Sequence, residues 1–296
     1  MSPDQQIAFS GTILNSPACT LGEGPSYDRH TDTAWWFDIV GRKLIEYALA
    51  DDTARTHDLP VMGSVLARVD DERQVIATET GLFLRHRVSG KLELVTPIEA
   101  DNPVTRSNDG RVHPCGALWF GTMGKNAETQ AGAIYHVARG VVTKLFPDIT
   151  IPNAICFSPG GSIAYFADTD TNRMMRVEID PATALPIGEP QLFLDYRGAG
   201  GLDGAVCDAD GTIWNARWGG GSVDAYSSEG KRMMSLALPA GQTTCPAFVG
   251  ADASRLLVTS ARQGLTPEQL ADDPNAGSTF LLDHRVKGRF EPDYVL

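Results

Sequence analysis

Apolar and polar positions along this chain alternate in short runs, and the runs recur in register. Six stretches align without gaps being forced: GEGPSYDRHTDTAWWFDI, GSVLARVDDERQVIATET, SNDGRVHPCGALWFGTM, PNAICFSPGGSIAYFADT, LDGAVCDADGTIWNARWGG and CPAFVGADASRLLVTSAR. Each reads as a strand, a turn rich in Gly, Asp, Ser or Pro, and a second strand of β-branched or aromatic residues such as Trp35, Trp119, Tyr165 and Trp214. Most lead into a third apolar run, as in KLIEYAL, GLFLRHRV, GAIYHVA, RMMRVEI and GSVDAYS. Successive units start about 41 to 50 residues apart, the spacing of one small antiparallel sheet per repeat.

Helical spacing is nearly absent. Only LTPEQLADD, from Leu265 to Asp273, reads as a short helix within a loop, with Thr266 as its cap. The chain is therefore expected to be all-β, a six-bladed β-propeller whose radial repetition leaves only short sheet edges. A β-sandwich would supply strands but no register of this length. The early run QQIAFSGTIL has no repeat of its own and is expected to complete the last blade, closing the ring as one domain over residues 1–296.

Composition narrows the function classes. The 296 residues carry a formal charge of -12 and a pI near 4.9, which repels phosphate and forfeits the counterion release behind nucleic-acid affinity. No apolar run approaches the roughly 20 residues that span a bilayer. The N-terminal MSPDQQIAFSGTILNS lacks the basic and apolar regions of a signal peptide, so the expected compartment is the cytoplasm. The cysteines, Cys19, Cys115, Cys156, Cys207 and Cys245, are odd in number and scattered, and read as reduced core thiols.

Candidate chemistry appears when the repeats are stacked. One column, at the start of each innermost strand, reads Glu23, Ser64, Asn108, Asn153, Asp203 and Cys245. In a propeller these side chains converge on one mouth of the central channel. Taken singly, Asn, Asp and Ser at such places form turns and caps. Together, two carboxylates and two carboxamides in one concave site call for something positive between them. A divalent cation fits that need, because carboxylate and amide oxygens are hard donors and the column lacks the Cys and His of structural zinc. Three protein oxygens leave positions open to water or substrate.

The stretches LGEGPSYD, WWFDI, RSNDGRVHPCGALWFGTM, IPNAICFSPGGSIAYFADT, LDGAVCDADGTIWNARWGGG and LLVTSARQGL resemble, in order and spacing, the SMP-30/gluconolactonase/regucalcin family of six-bladed propellers. The tail TSARQGLTPEQLADDPNAGSTF is similar to that of the bacterial sugar-acid lactonases in it. The resemblance implies a metal held by Glu23, Asn153 and Asp203, substrate contacts from Arg106 and Asn108, and Asp203 as general base as well as ligand. This chain has Leu202 where members often have Pro. It has Asn126, beside Lys125, where regucalcin-like members place a glutamate on the substrate.

The expected activity is hydrolysis of aldonolactones, such as glucono-, xylono- or arabinonolactone, with one divalent ion chosen among calcium, magnesium, manganese, zinc and ferrous iron. The expected partner is a small sugar lactone, with no nucleic acid or membrane, on a monomer or weak homo-oligomer. Two rivals stand beside it: an ester or phosphotriester hydrolase on the same propeller, and a calcium-binding propeller without catalysis. No G-x-S-x-G elbow or G-x-x-x-x-G-K loop occurs, so acyl-serine and nucleotide chemistry are unsupported. His113, in the turn HPCG, reads as a solvated turn residue. Of Trp35 and Trp36, strand alternation puts at least one in the core.

Overall fold

The computed structural model of the protein describes residues 6–296. Its strands form six antiparallel sheets arranged as the blades of a propeller. The innermost strands are Gly22–Asp28, Gly63–Arg68, Thr105–Val112, Pro152–Phe157, Gly201–Cys207 and Thr243–Val249, which are the first strands of the six repeats. Each is followed outward by its hairpin partner and then by the third apolar run of the repeat. The N-terminal run does close the ring: Gly11–Ile13 pairs antiparallel with Phe280–Leu282 as the outermost strand of blade six. The two residues Gln6–Ile7 do something the pattern did not announce, adding a parallel edge strand to blade five beside Arg232–Ala237.

Packing lies between the blades. Apolar side chains of facing sheets form six clusters, one in each gap between neighbours. Alternation along Thr33–Asp38 sends Trp35 into the gap with blade two and Trp36 into the gap with blade six. Both indoles are fully buried, so neither borders the mouth. His113 departs from the sequence reading as well: it is buried, bonds through Nε2 to the Gly161 carbonyl at 2.8 Å, and accepts the Cys115 N–H on Nδ1 at 3.0 Å. Its ring stands edge-on to Phe157, so the turn is pinned to blade four rather than solvated.

The helix forms as its cap residue predicts, over Pro267–Asp272, with Thr266 and Gln269 in a reciprocal capping box. All five cysteines are free thiols, four of them buried. Among the described residues no helix is long and apolar enough to cross a membrane.

Candidate active site

Every innermost strand is interrupted near its start by a β-bulge, where the ladder to its hairpin partner slips. A bulge bends the strand and re-aims its side chains, here toward the channel. The predicted column does not keep one register across the blades. Glu23 and Asn153 pair just before their bulges, whereas Asn108, Asp203 and Ser64 lie within theirs. In blades one and four, which face each other across the ring, the residue after the column residue adopts a left-handed conformation: Gly24 with φ 56° and Ala154 with φ 55°. Gly24 has no alternative, because a Cβ there would sit 1.9 Å from the Ser64 carbonyl oxygen.

Glu23, Arg106, Asn108, Asn126, Asn153 and Asp203 all line one cavity of about 540 Å³ at this mouth. Ser64 and Cys245 do not. Ser64 bonds to the Ser107 hydroxyl at 2.8 Å, and the Cys245 thiol meets Arg111 at 3.7 Å deeper in the channel. Asn126 is exposed on the rim, where its amide donates to Glu128 at 2.9 Å.

A chain of hydrogen bonds sets the orientation of the amides. Thr169 donates its hydroxyl proton to the Leu202 carbonyl at 2.6 Å and therefore receives a proton from Asn153 Nδ2 at 2.8 Å. That leaves Asn153 Oδ1 as the atom turned toward Asn108, whose Nδ2 donates to it at 3.0 Å and to the Pro152 carbonyl at 2.9 Å. Asn108 Oδ1 in turn accepts from Arg106 Nη1 at 2.7 Å. The network thus fixes the Asn153 side-chain oxygen as the acceptor of the Asn108 amide.

The electrostatics are unbalanced. Glu23 and Asp203 are both buried and lie close enough to share a proton. Burial and then the neighbouring carboxylates push Glu23 up to about 8 and hold Asp203 well above the ordinary carboxylate range. Arg106, lowered to about 10 by its own burial, remains a cation at neutral pH. Its Nη1 is already committed to the Ser107 carbonyl and Asn108. The site holds more buried anionic capacity than cationic charge to match it.

Sequence reasoning passed over several residues here. Asp109, next to Asn108, is buried; one carboxylate oxygen accepts the Ile155 N–H at 2.7 Å, beside the strained Ala154, and the other has no partner. Lys125, Thr169, Trp218 and Gln242 also line the cavity. Lys125 is tied to Glu79 at 2.7 Å. Lys125, Thr169 and Trp218 come from the ends of second strands or the residues just after them. The signal was present: an antiparallel hairpin returns its second strand to the face where its first began.

Three comparisons bear on this site. Residues 21–262 match the family model described as the SMP-30/Gluconolactonase/LRE-like region. A Rhizobium meliloti protein provisionally assigned as a sugar lactone lactonase is 58% identical over 98% of this chain and 99% of its own length. The L-arabinolactonase of Azospirillum brasilense is 33% identical over 96% of both chains. Among solved structures, the crystal structure of a calcium-binding regucalcin from Agrobacterium tumefaciens superposes with a TM-score of 0.97 at 54% identity, covering 98% of this chain and 99% of that one.

Proposed function

The chain belongs to the SMP-30/gluconolactonase/LRE-like family, and from that premise we propose that it hydrolyses sugar lactones to aldonic acids with one divalent cation held by Glu23, Asn153 and Asp203. Lactone hydrolysis is supported by the lactonases among its relatives. Cation binding is supported by one observation above the rest: two buried carboxylates interact with each other, each held above the ordinary carboxylate range by burial and then by carboxylate neighbours, with Asn153 lining the same cavity. The residues fit a hard cation. The donor set of two carboxylates and an amide carbonyl is of the hard oxygen kind; its two acidic residues fall short of a cluster of three or more Cys, His, Asp or Glu side chains, and no such cluster occurs among the described residues. The calcium-binding relative points the same way.

When bound, such a cation supplies Lewis acidity to a carbonyl oxygen and eases loss of a proton from water. The side chains carry the remaining roles. Water adds to the lactone carbonyl carbon as Asp203 accepts its proton, and the ring C–O bond then breaks with a proton delivered to the departing oxygen. Hydrolysis therefore consumes one water and yields a hydroxy acid. Arg106 steadies the ring hydroxyls or the developing negative oxygen through its planar fork, and Asn108 keeps that guanidinium in place. Asn126, on the rim, meets the substrate's outer hydroxyls.

The test is proton release from a panel of aldonolactones by chelator-stripped protein, before and after each divalent ion is restored singly, with spontaneous hydrolysis subtracted. Turnover of one or two lactones returning with metal is the expected result. Tight metal binding with every lactone left intact would overturn the lactonase reading.

A further inference from the structure

The mouth has two walls. Arg106, Asn108 and Lys125 come from blade three, and Gln242 and Gln263 from blade six, which stands opposite it in the ring. Gln242 immediately precedes the innermost strand Thr243–Val249, and Gln263 follows the hairpin partner Arg255–Ser260. Trp218, which ends the second strand of blade five, lines the same cavity.

Most polar side chains of this cavity are already bonded within the protein. The amides of Asn108 and Asn153, the Thr169 hydroxyl and the Lys125 ammonium all have protein partners. Gln242 differs. Its Nε2 donates to the main-chain carbonyls of Ala261 and Gln263, each at 3.1 Å. Both partners can only accept, so the nitrogen end of the amide must point at them and the oxygen end away from them. Among the described residues nothing donates to Gln242 Oε1, and this half-buried side chain is not one of those with an unpartnered atom sealed from solvent. The oxygen is therefore an open acceptor with a fixed direction.

The same bonds make that acceptor rigid. Gln263 sits in the turn Arg262 to Leu265, closed by the Leu265 N–H on the Arg262 carbonyl at 3.1 Å, with Gly264 supplying the positive φ of 76°. The Gln263 N–H is held by the Thr20 carbonyl at 2.9 Å. A side chain fixed before the ligand arrives lowers the ordering cost of binding.

An amide oxygen bonds to an O–H or N–H and has nothing to offer a carboxylate or a phosphate. The Trp218 indole adds apolar surface to the same cavity, and a rigid polar group beside an aromatic face suits a hydroxylated ring. We propose that Gln242 is a specificity-determining residue of the mouth, whose Oε1 accepts a hydrogen bond from one ring hydroxyl of the sugar. The proposal rests on the mouth being the sugar-lactone site and narrows its substrates to lactones that carry a free hydroxyl at that place.

The test separates binding from turnover. Aldonolactams, in which N–H replaces the ring oxygen, keep the hydroxyls of the lactones and resist hydrolysis. Calcium-restored parent and Gln242→Met are titrated calorimetrically with gluconolactam, xylonolactam and arabinonolactam, and then with the monodeoxy analogues of the tightest binder. That lactam is expected to bind the variant roughly three- to tenfold more weakly, the loss of one hydrogen bond, with calcium affinity as in the parent. One monodeoxy analogue is expected to bind parent and variant alike, because the hydroxyl that meets Gln242 is already missing, while the others keep the full difference. A loosened turn would weaken every analogue by the same factor. That uniform result, an unchanged lactam affinity, a fall in calcium affinity or no lactam binding by the parent would overturn the proposal. The expected pattern in a protein that leaves every lactone intact would keep the Gln242 contact and sink the lactonase reading alone.

Discussion

The two ends of the central channel bury the same kinds of side chain and treat them oppositely. At the far end Arg111 is buried against an ion pair with Glu291, and it also reaches the carbonyls of Pro25 and Ala205. Burial works against the Arg111 charge, but the Glu291 carboxylate outweighs it and holds the guanidinium above its ordinary value. Asp28 there is likewise met by Arg87 at 2.8 Å and by Arg68 at 3.9 Å. At the mouth Glu23 and Asp203 interact with one another, and the cation beside them, Arg106, is bonded to Asn108 and a main-chain carbonyl. Paired buried charges hold a fold together; an unpaired set spends stability to keep a place open for a ligand.

Removing one carboxylate at each end separates these roles most widely. Asp203→Asn is expected to lower metal-dependent lactone turnover by about 10³-fold, within the range for losing a general base. The metal-free variant should be at least as stable as the parent, since one of two buried carboxyl groups that oppose each other's ionisation is gone. Glu291→Gln should do the reverse. It leaves Arg111 buried without its partner and is expected to cost about 3 kcal/mol of unfolding free energy, read from urea midpoints, with turnover per folded molecule retained. Equal loss of stability in the two variants would dissolve the contrast.

A graded effect follows from pH in chelator-stripped protein. An unfolded glutamate titrates near its ordinary value of about 4.3, whereas native Glu23 keeps its proton up to about 8. Between those values the native state binds a proton that the unfolded state has released, so stability falls as pH rises, by about 1.4 kcal/mol per unit. The decline should start near pH 5, continue through the range in which Glu23 and Asp203 lose their protons, and shrink when a divalent ion is restored. Denaturant melts across pH 5 to 9, with and without calcium, measure it; stability that rises across that window without metal would mean the mouth carboxylates are already compensated.

How much of this was legible depended on whether the cause was local. Strand alternation and turn residues repeat with the blade, so the six hairpins, the closing strand at Gly11–Ile13 and the helix cap at Thr266 could be read directly. The convergence of Glu23, Asn108, Asn153 and Asp203 on one cavity followed from the same repeat, whereas Arg106 and Asn126, which line it too, were pointed out by the family resemblance. The far end could not be read. Arg111 and Glu291 are 180 residues apart, and no periodicity links a blade to a tail that folds back over it. The burial of His113 escaped for the same reason, since its partner carbonyl belongs to the next blade. The bulges escaped because these inner strands are short and buried on both faces, so the phase change that a one-residue slip makes in the alternation is hidden.

Those bulges supply the smallest effect, and it falls within the mouth itself. Gly24 and Ala154 hold nearly the same left-handed φ on opposite blades, each directly after a proposed cation ligand. At Gly24 the Ser64 carbonyl forbids any side chain. At Ala154 a side chain is tolerated at a penalty of about 1 kcal/mol for the left-handed region, while Asp109 accepts the Ile155 N–H one residue further on and holds the bulge closed. Ala154→Gly removes that penalty but adds freedom to the unfolded chain, so the expected gain is about 0.5 kcal/mol with calcium affinity unchanged. If the Asp109 bond alone sets the bulge, Asn153 keeps its aim in this variant. A drop in calcium affinity without a drop in stability would instead show that the stiffness of alanine, and not Asp109, points Asn153 Oδ1 at the cation.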